Sequence, residues 1–169
     1  MNKIIVNKIF VQENLNLSFG IFRQIRILLE DLNDEYPDFF VWLNMVFDGV
    51  YRGERTILLY QVNNQYLAIS ILKHTEFEKK ICTFRVLNAY KRLSIGKQLM
   101  KESLELLDEK FPLITVSSKR IEEFRPFLYK FKFEEYKTYK SYYRSDIIEY
   151  SFNAPIEKKC NKIFKCKIF

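Results

Sequence analysis

The stretch FRVLNAYKRLSIGKQLMKESLELL, residues 84–107, decides the fold, because it predicts a strand, a tight basic loop and then an amphipathic helix. Such a loop is a general anion trap, since backbone N–H groups and the positive end of the helix dipole point out of it. Lys91, Arg92 and Lys97 add full positive charges. The same charges also fit an ordinary solvated turn, so the elements around the loop have to decide between the two.

The surrounding sequence predicts one α/β domain. The two runs joined by Asn63-Asn64 are typical of a β-hairpin, because Asn tolerates positive φ. LITVSS, residues 113–118, is typical of a buried parallel strand. The predicted elements are strand 3–11, helices 16–36 and 37–49, strands 55–62, 65–74 and 81–87, helix 95–110, strand 113–118, a helix 119–131 that Pro126 interrupts, and strands 133–143 and 146–153. This order, β-α-α-β-β-β-α-β-α-β-β, predicts a mixed, mostly antiparallel twisted sheet flanked by helices. Along the strand 81–87 we expect Ile81, Thr83 and Arg85 on one face and Cys82, Phe84 and Val86 on the other.

The composition argues against several classes of protein. His74 is the single histidine, which disfavours a histidine-based metal centre and a Ser-His-Asp triad. Three cysteines without a CxxC pair indicate neither a disulfide framework nor a zinc site. No apolar run reaches the ~18 residues of a membrane span, and the N-terminus lacks a signal-peptide pattern, so we expect a cytoplasmic protein without a metal. Catalysis must then come from carboxylates, tyrosines, lysines or backbone groups.

The net charge of +7 is unevenly distributed along the chain. From Pro155 onward five lysines accompany one glutamate, which leaves only +3 for the rest of the chain. We therefore separate a domain, residues 1–154, from a basic C-terminal tail, residues 155–169. The tail fits contact with RNA, acidic lipid or a partner subunit, or simply a frayed terminus or short extra strand. A nucleic-acid binder would rest mainly on this tail, because no RNA- or DNA-binding motif accompanies it.

An acidic connector lies between the first two predicted helices. It contains Asp31, Asp34, Glu35, Tyr36 and Asp38. These residues fit a solvated helix end with favourable dipole interactions, or a loop that attracts a cationic substrate.

The basic loop resembles the acetyl-CoA signature of the GNAT N-acetyltransferase superfamily. That signature is Gln/Arg-x-x-Gly-x-Gly/Ala at the start of a helix, preceded by an apolar strand and commonly by a tyrosine. Here Tyr90 matches the tyrosine, Lys91 replaces Gln/Arg, Ser94 replaces the first glycine and Gly96 matches the second. The predicted element order also matches this family over most of the chain, which implies a GNAT-like fold.

The resemblance implies how acetyl-CoA is held. The backbone of the fourth strand pairs with the pantetheine arm as an added strand would, and the loop amides hold the pyrophosphate. The thioester then lies where the fourth and fifth strands separate. The implied cofactor-binding residues are Phe84, Arg85, Val86, Lys91, Arg92, Leu93, Ser94, Ile95, Gly96 and Lys97. We expect weaker binding than in the family, because a non-glycine residue at positive φ costs about 1–2 kcal/mol, unless the Ser94 hydroxyl caps the helix or donates to phosphate.

Direct transfer to an amine requires a base for the amine and an acid for the departing thiolate. The family often places a glutamate on or just before the fourth strand. Lys80 stands near that position, and Glu78, two residues earlier, is the predicted base or else a solvated turn carboxylate.

The family's acid is a tyrosine four residues before a Gly-Phe pair. Here Lys132-Phe133 replaces that pair, Leu128 occupies the tyrosine position, and Tyr129 is the predicted acid one residue further on. The substitutes, which the sequence does not rank, are Tyr136, Tyr139, Tyr142 and Tyr143.

The resemblance therefore implies an acyl-CoA-dependent N-acyltransferase. It would move an acetyl group from acetyl-CoA to a primary amine by direct attack in a ternary complex. The acceptor stays open among a small polyamine-like molecule, a peptide or protein, and an aminoacyl-tRNA, and a homodimer stays open as well. The departures at Lys91, Ser94, Leu128 and Lys132 motivate the alternative, a catalytically inactive acyl-CoA-binding or interaction module on the same fold.

Overall fold

The computed structural model describes residues 1–91 and 93–156. Within these ranges the strands are β1 Asn2–Val6, β2 Arg55–Val62, β3 Gln65–His74, β4 Lys79–Val86, β5 Leu113–Ser117, β6 Glu135–Lys140 and β7 Ile148–Phe152. The helices are α1 Lys8–Glu13, α2 Leu15–Leu28, α3 Phe39–Arg52, α4 Ile95–Leu107 and α5 Ile121–Lys130, with short 3-10 helices at Glu30–Asp34 and Asn88–Tyr90. The strands form one sheet in the order β1-β2-β3-β4-β5-β7-β6, parallel only between β4 and β5. The predicted mixed, mostly antiparallel sheet flanked by helices is confirmed.

The first predicted strand is too long, because the chain turns into an additional helix after Val6. The side chain of Asn7 accepts a hydrogen bond from the backbone N–H of Phe10 at 2.9 Å and so caps α1. Val11 then points into the core. A capping residue inside a β-branched run therefore overrides the strand propensity around it, and the order begins β-α-α-α.

Helices cover both faces of the sheet. α2 and α3 pack against Ile57, Leu59, Ile69 and Ile71 on one face. The helices α4 and α5 pack on the other, over residues that include Ile81, Ile114, Val116 and Phe152. The predicted interruption at Pro126 is wrong, since α5 runs through it with Ile121 and Leu128 buried on either side.

The strands β4 and β5 separate almost as soon as they meet. They pair only at Lys80 with Leu113 and at Ile81 with Ile114, after which both strands continue apart. A β-bulge at Cys82 lies at the same point, because Ile81 and Thr83 pair with adjacent residues of β3. Bulges increase local twist, which turns β4 away from β5. The bulge also makes the predicted alternation wrong, since Ile81 and Phe84 contact the same core cluster.

The basic tail lies outside the described residues from residue 157 onward. Among the helices of the described part, none is long and apolar enough to cross a membrane.

Candidate active site

A cavity of about 1680 Å³ opens where β4 and β5 separate. One wall is β4 beyond the bulge, and another is the end of β5 with Thr115, Val116 and Ser117. The connector around Tyr36 and the loop between β6 and β7 close the remaining sides. Because a pocket for one drug-sized ligand is roughly 300–1,000 Å³, this cavity has room for two reactants side by side.

The β4 edge that faces the gap is open to an extended ligand. Phe84, Arg85 and Val86 pair with β3 on one side. On the other side, β5 pairs with β4 only as far as Ile81, so this edge has no strand partner among the described residues. A ligand with amide groups can pair with such an edge as an added strand does.

The basic loop ends in a residue with a left-handed backbone. Ser94, the residue before α4, has φ 60° and ψ 4°, a left-handed conformation that favours glycine. Its side chain makes no capping hydrogen bond to α4. Of the two roles expected for this hydroxyl, capping is therefore wrong, and donation to a bound anion stays a prediction.

The charged loop residues differ in their surroundings. Lys91 forms an ion pair with Glu123 of α5, which partly neutralises its charge. Lys97 is exposed in the first turn of α4, Leu93 is exposed beside it, and Arg92 lies outside the described residues. Ile95 is buried in the core, so that only its backbone N–H is available to a ligand.

Gly96 is not required by the fold itself. A Cβ there would meet its nearest neighbour, a ring carbon of Phe127, at 3.7 Å, which is ordinary contact. The helical backbone also accepts any L-residue at this position. An alanine would therefore fit here as well, in agreement with the Gly/Ala alternative of the signature.

The predicted base is one of the residues that line the cavity. Glu78 precedes β4, is partly buried and lines the cavity. Its carboxylate is already ion-paired with Lys73, another lining residue. Among the described residues, no group of three His, Cys, Asp or Glu side chains is arranged to hold a metal ion.

Tyr129, the predicted acid, lies on the outer surface of α5. It is 50% exposed, it is not part of the cavity lining, and its hydroxyl donates to Glu135 at 2.8 Å. Tyr142 and Tyr143 of the β6–β7 loop do line the cavity, with ring centroids 4.8 Å apart. The geometry therefore favours these two among the tyrosine candidates.

Solved structures share this arrangement of strands, although no family model and no curated protein sequence matches the chain. A protein of Desulfovibrio desulfuricans assigned to the GNAT family of acetyltransferases superposes with a TM-score of 0.64 at 11% identity, covering 89% of this chain and 97% of that one. The chain has the GNAT fold. An acyl-CoA N-acyltransferase of Pseudomonas aeruginosa gives 0.58 at 15% identity over 90% and 98% of the two chains. A streptothricin acetyltransferase of Bacillus anthracis, solved with acetyl-CoA, gives 0.51 at 17% identity over 59% and 61%.

The acidic connector contributes two ion pairs to this GNAT fold. Asp31 pairs with both terminal nitrogens of Arg85, the Nη2–Oδ2 distance being 2.8 Å, and the Arg85 guanidinium lowers the pKa of this carboxyl. Glu35 forms a bidentate pair with Arg120, which follows β5. Arginines of the cavity wall thus hold two carboxylates of the connector. These ion pairs fix the connector in place, so the two carboxylates do not present free negative charge.

A residue that the sequence reasoning missed lies behind the cavity of this GNAT fold. Glu149 on β7 is 1% exposed, directly opposite Ser117 of β5. Burial raises its pKa to about 7; Lys80 lowers it and Glu35 raises it further. A single glutamate in the strand IEYSF looks like any solvent-facing strand position, so only the packing of the connector and the β6–β7 loop over it distinguishes it.

Proposed function

We propose that this protein is an acyl-CoA-dependent N-acyltransferase that moves an acetyl group from acetyl-CoA to a primary amine. The observation that carries the proposal is the open edge of β4 beyond Ile81, which leads straight into a basic loop at a helix N-terminus. A pantetheine arm has two amides to pair with such an edge. Its pyrophosphate would then reach the loop amides and the N-terminus of α4.

The chemistry needs no covalent enzyme intermediate. Both reactants fit in one cavity, so the amine can attack the thioester carbon directly in a ternary complex. Glu78 is one candidate proton acceptor because it lines this cavity. Tyr142 and Tyr143 are the candidate proton donors, and burial raises the pKa of both hydroxyls, so both carry their protons at neutral pH.

The acceptor remains open among a small polyamine-like molecule, a peptide or protein amine, and an aminoacyl-tRNA. The neighbour solved with acetyl-CoA acts, by its name, on streptothricin, which supports the cofactor but not a particular acceptor for this chain. A cytoplasmic location and a homodimer stay predictions from the sequence.

Calorimetry with acetyl-CoA tests the cofactor half of the proposal. We expect wild-type protein to bind, and Lys97→Glu to bind at least 10-fold more weakly, because it replaces a positive by a negative charge in the first turn of α4, beside the proposed pyrophosphate site. Lys110→Glu, exposed beyond the other end of α4, is the matched control and should leave binding unaltered. No binding at millimolar acetyl-CoA would refute the proposal.

Release of free thiol tests transfer. The wild-type protein should release it from acetyl-CoA only when a suitable amine is present. Tight binding without release for any amine would favour the alternative, a module that has lost catalysis.

A further inference from the structure

Behind the cavity wall, next to the lining residue Ser117 but not itself part of the lining, lies a carboxylate that neither the sequence nor the proposed reaction has used. Neither oxygen of Glu149 has a hydrogen-bond partner among the described residues, although the side chain is 1% exposed. Ser117, directly opposite it on β5, lines the cavity, and its hydroxyl also lacks a partner in the described part of the chain. Buried polar atoms without a hydrogen-bond partner destabilise the folded protein strongly unless a ligand or a water supplies the missing hydrogen bonds.

Charged and titratable groups face Glu149 from every element around it. They are Lys80 of β4, Glu35 and Tyr36 of the connector, Arg120 after β5, Tyr139 opposite on β6, and Tyr143 of the β6–β7 loop. Arg120 is already paired with Glu35. Tyr36 and Tyr143 are in edge-to-face contact, 5.8 Å between ring centroids, and both line the cavity and feel the charge of Glu149.

We propose that Glu149 takes the proton from the acceptor's amine, which sits at the end of the cavity between Ser117, Tyr36 and Tyr143. This rests on the N-acyltransferase function proposed above. Glu149 suits the role better than Glu78, because the carboxylate of Glu78 is engaged by Lys73. A general base also works best when it is half-ionised near the working pH, as burial makes this group.

The acceptor enters as an ammonium ion, and Glu149, which lies behind the lining residue Ser117, takes one of its protons through the Ser117 hydroxyl or a water beside it. The neutral amine attacks the thioester carbon, a C–N bond forms, and the C–S bond breaks. The sulfur leaves as thiolate and receives the second nitrogen proton through a tyrosine hydroxyl. The products are an amide, free CoA thiol and one proton that Glu149 returns to water.

The test measures thiol release by the full chain with acetyl-CoA and three amines: spermidine, an N-blocked lysine peptide and a peptide with a free N-terminus. With the fastest amine, kcat/KM is followed from pH 5 to 9 in wild type, Glu149→Gln, Glu78→Gln and the exposed control Glu13→Gln. Each variant's acetyl-CoA affinity is measured by calorimetry, which confirms that it is folded.

In Glu149→Gln we expect kcat to fall on the order of 100-fold or more, the rise in kcat/KM near pH 7 to disappear, and acetyl-CoA affinity to stay unchanged. In Ser117→Ala we expect kcat to fall less, and the rise in kcat/KM near pH 7 to remain. Wild-type rates and an unaltered profile in Glu149→Gln would overturn this inference, as would loss of the rise in Glu78→Gln instead, and both would leave the proposed function standing. No thiol release from wild type with any of the three amines would overturn the proposed function itself.

Discussion

Replacing Glu149 by glutamine should stabilise the protein above neutral pH, and the gain should depend on pH. The folded-state pKa of this carboxyl is raised to about 7, against an ordinary value of 4.5, because of burial. Below pH 4.5 the group is protonated in both states and costs nothing. Between pH 4.5 and 7 the unfolded chain ionises first and therefore binds fewer protons than the folded one, so the free energy of unfolding falls as pH rises. Above about pH 7 both states are ionised, and Glu149 lowers the free energy of unfolding no further.

The magnitude follows from the interval between the two pKa values. At about 1.4 kcal/mol per pH unit, ionising Glu149 in the folded state costs about 3 kcal/mol at pH 8. Glutamine has nearly the same shape and cannot ionise. The free energy of unfolding of Glu149→Gln minus that of wild type should therefore be about 3 kcal/mol larger at pH 8 than at pH 4.5.

Urea unfolding of wild type, Glu149→Gln and Glu13→Gln at pH 4.5, 6, 7 and 8 measures this difference. Any contribution of His74 cancels, because all three proteins carry it. The reasoning is refuted if the difference between Glu149→Gln and wild type stays constant within about 0.5 kcal/mol across the range, since Glu149 would then titrate as an exposed carboxyl does.

Three further outcomes are expected. Ser94→Gly should raise the free energy of unfolding by about 0.5 kcal/mol, because relief of the left-handed strain exceeds the entropy cost of glycine; a loss above ~1 kcal/mol in urea would contradict this. Tyr142→Phe should lower kcat in the thiol-release assay about 10-fold or more, whereas Tyr129→Phe should leave it unchanged, and equal effects would count against the cavity tyrosines as proton donors. Asp31→Asn removes the ion pair with Arg85 that fixes the connector at the cavity wall. It should therefore raise the KM for the acceptor, in the thiol-release assay, more than it weakens acetyl-CoA binding in calorimetry. Weaker acetyl-CoA binding with an unchanged acceptor KM would argue against a connector that lies beside the acceptor.

Local patterns were enough to predict most elements. The hairpin at Asn63-Asn64 forms with φ of 49° and 62°, as its turn chemistry requires. The helix from Ile95 and the parallel strand at Leu113–Ser117 follow from periodicity and composition in the same way. These features depend on residues within a few positions of each other, which is why the sequence alone predicts them.

The features that the sequence did not predict correctly depend wholly or partly on contacts between distant residues. The cap of the additional helix α1 at Asn7 is local, but the helix also depends on the packing of Val11 against the core, and together they outweigh strand propensity. The bulge at Cys82 arises in the pairing of β3 with β4, and nothing in ICTFRV marks it. Tyr129 points outward on α5, away from the cavity.

The sequence by itself determined an α/β chain with a basic loop at a helix start, and the divergent signature at Ser94 and Gly96 led to the GNAT resemblance. Only the tertiary structure decided where the two strands part and which side chains meet there. Glu149 and Ser117 lie 32 residues apart in the chain and come together because β7 pairs antiparallel with β5. Burial of that carboxylate comes from elements contributed by both halves of the chain, so no local pattern could have revealed its raised pKa.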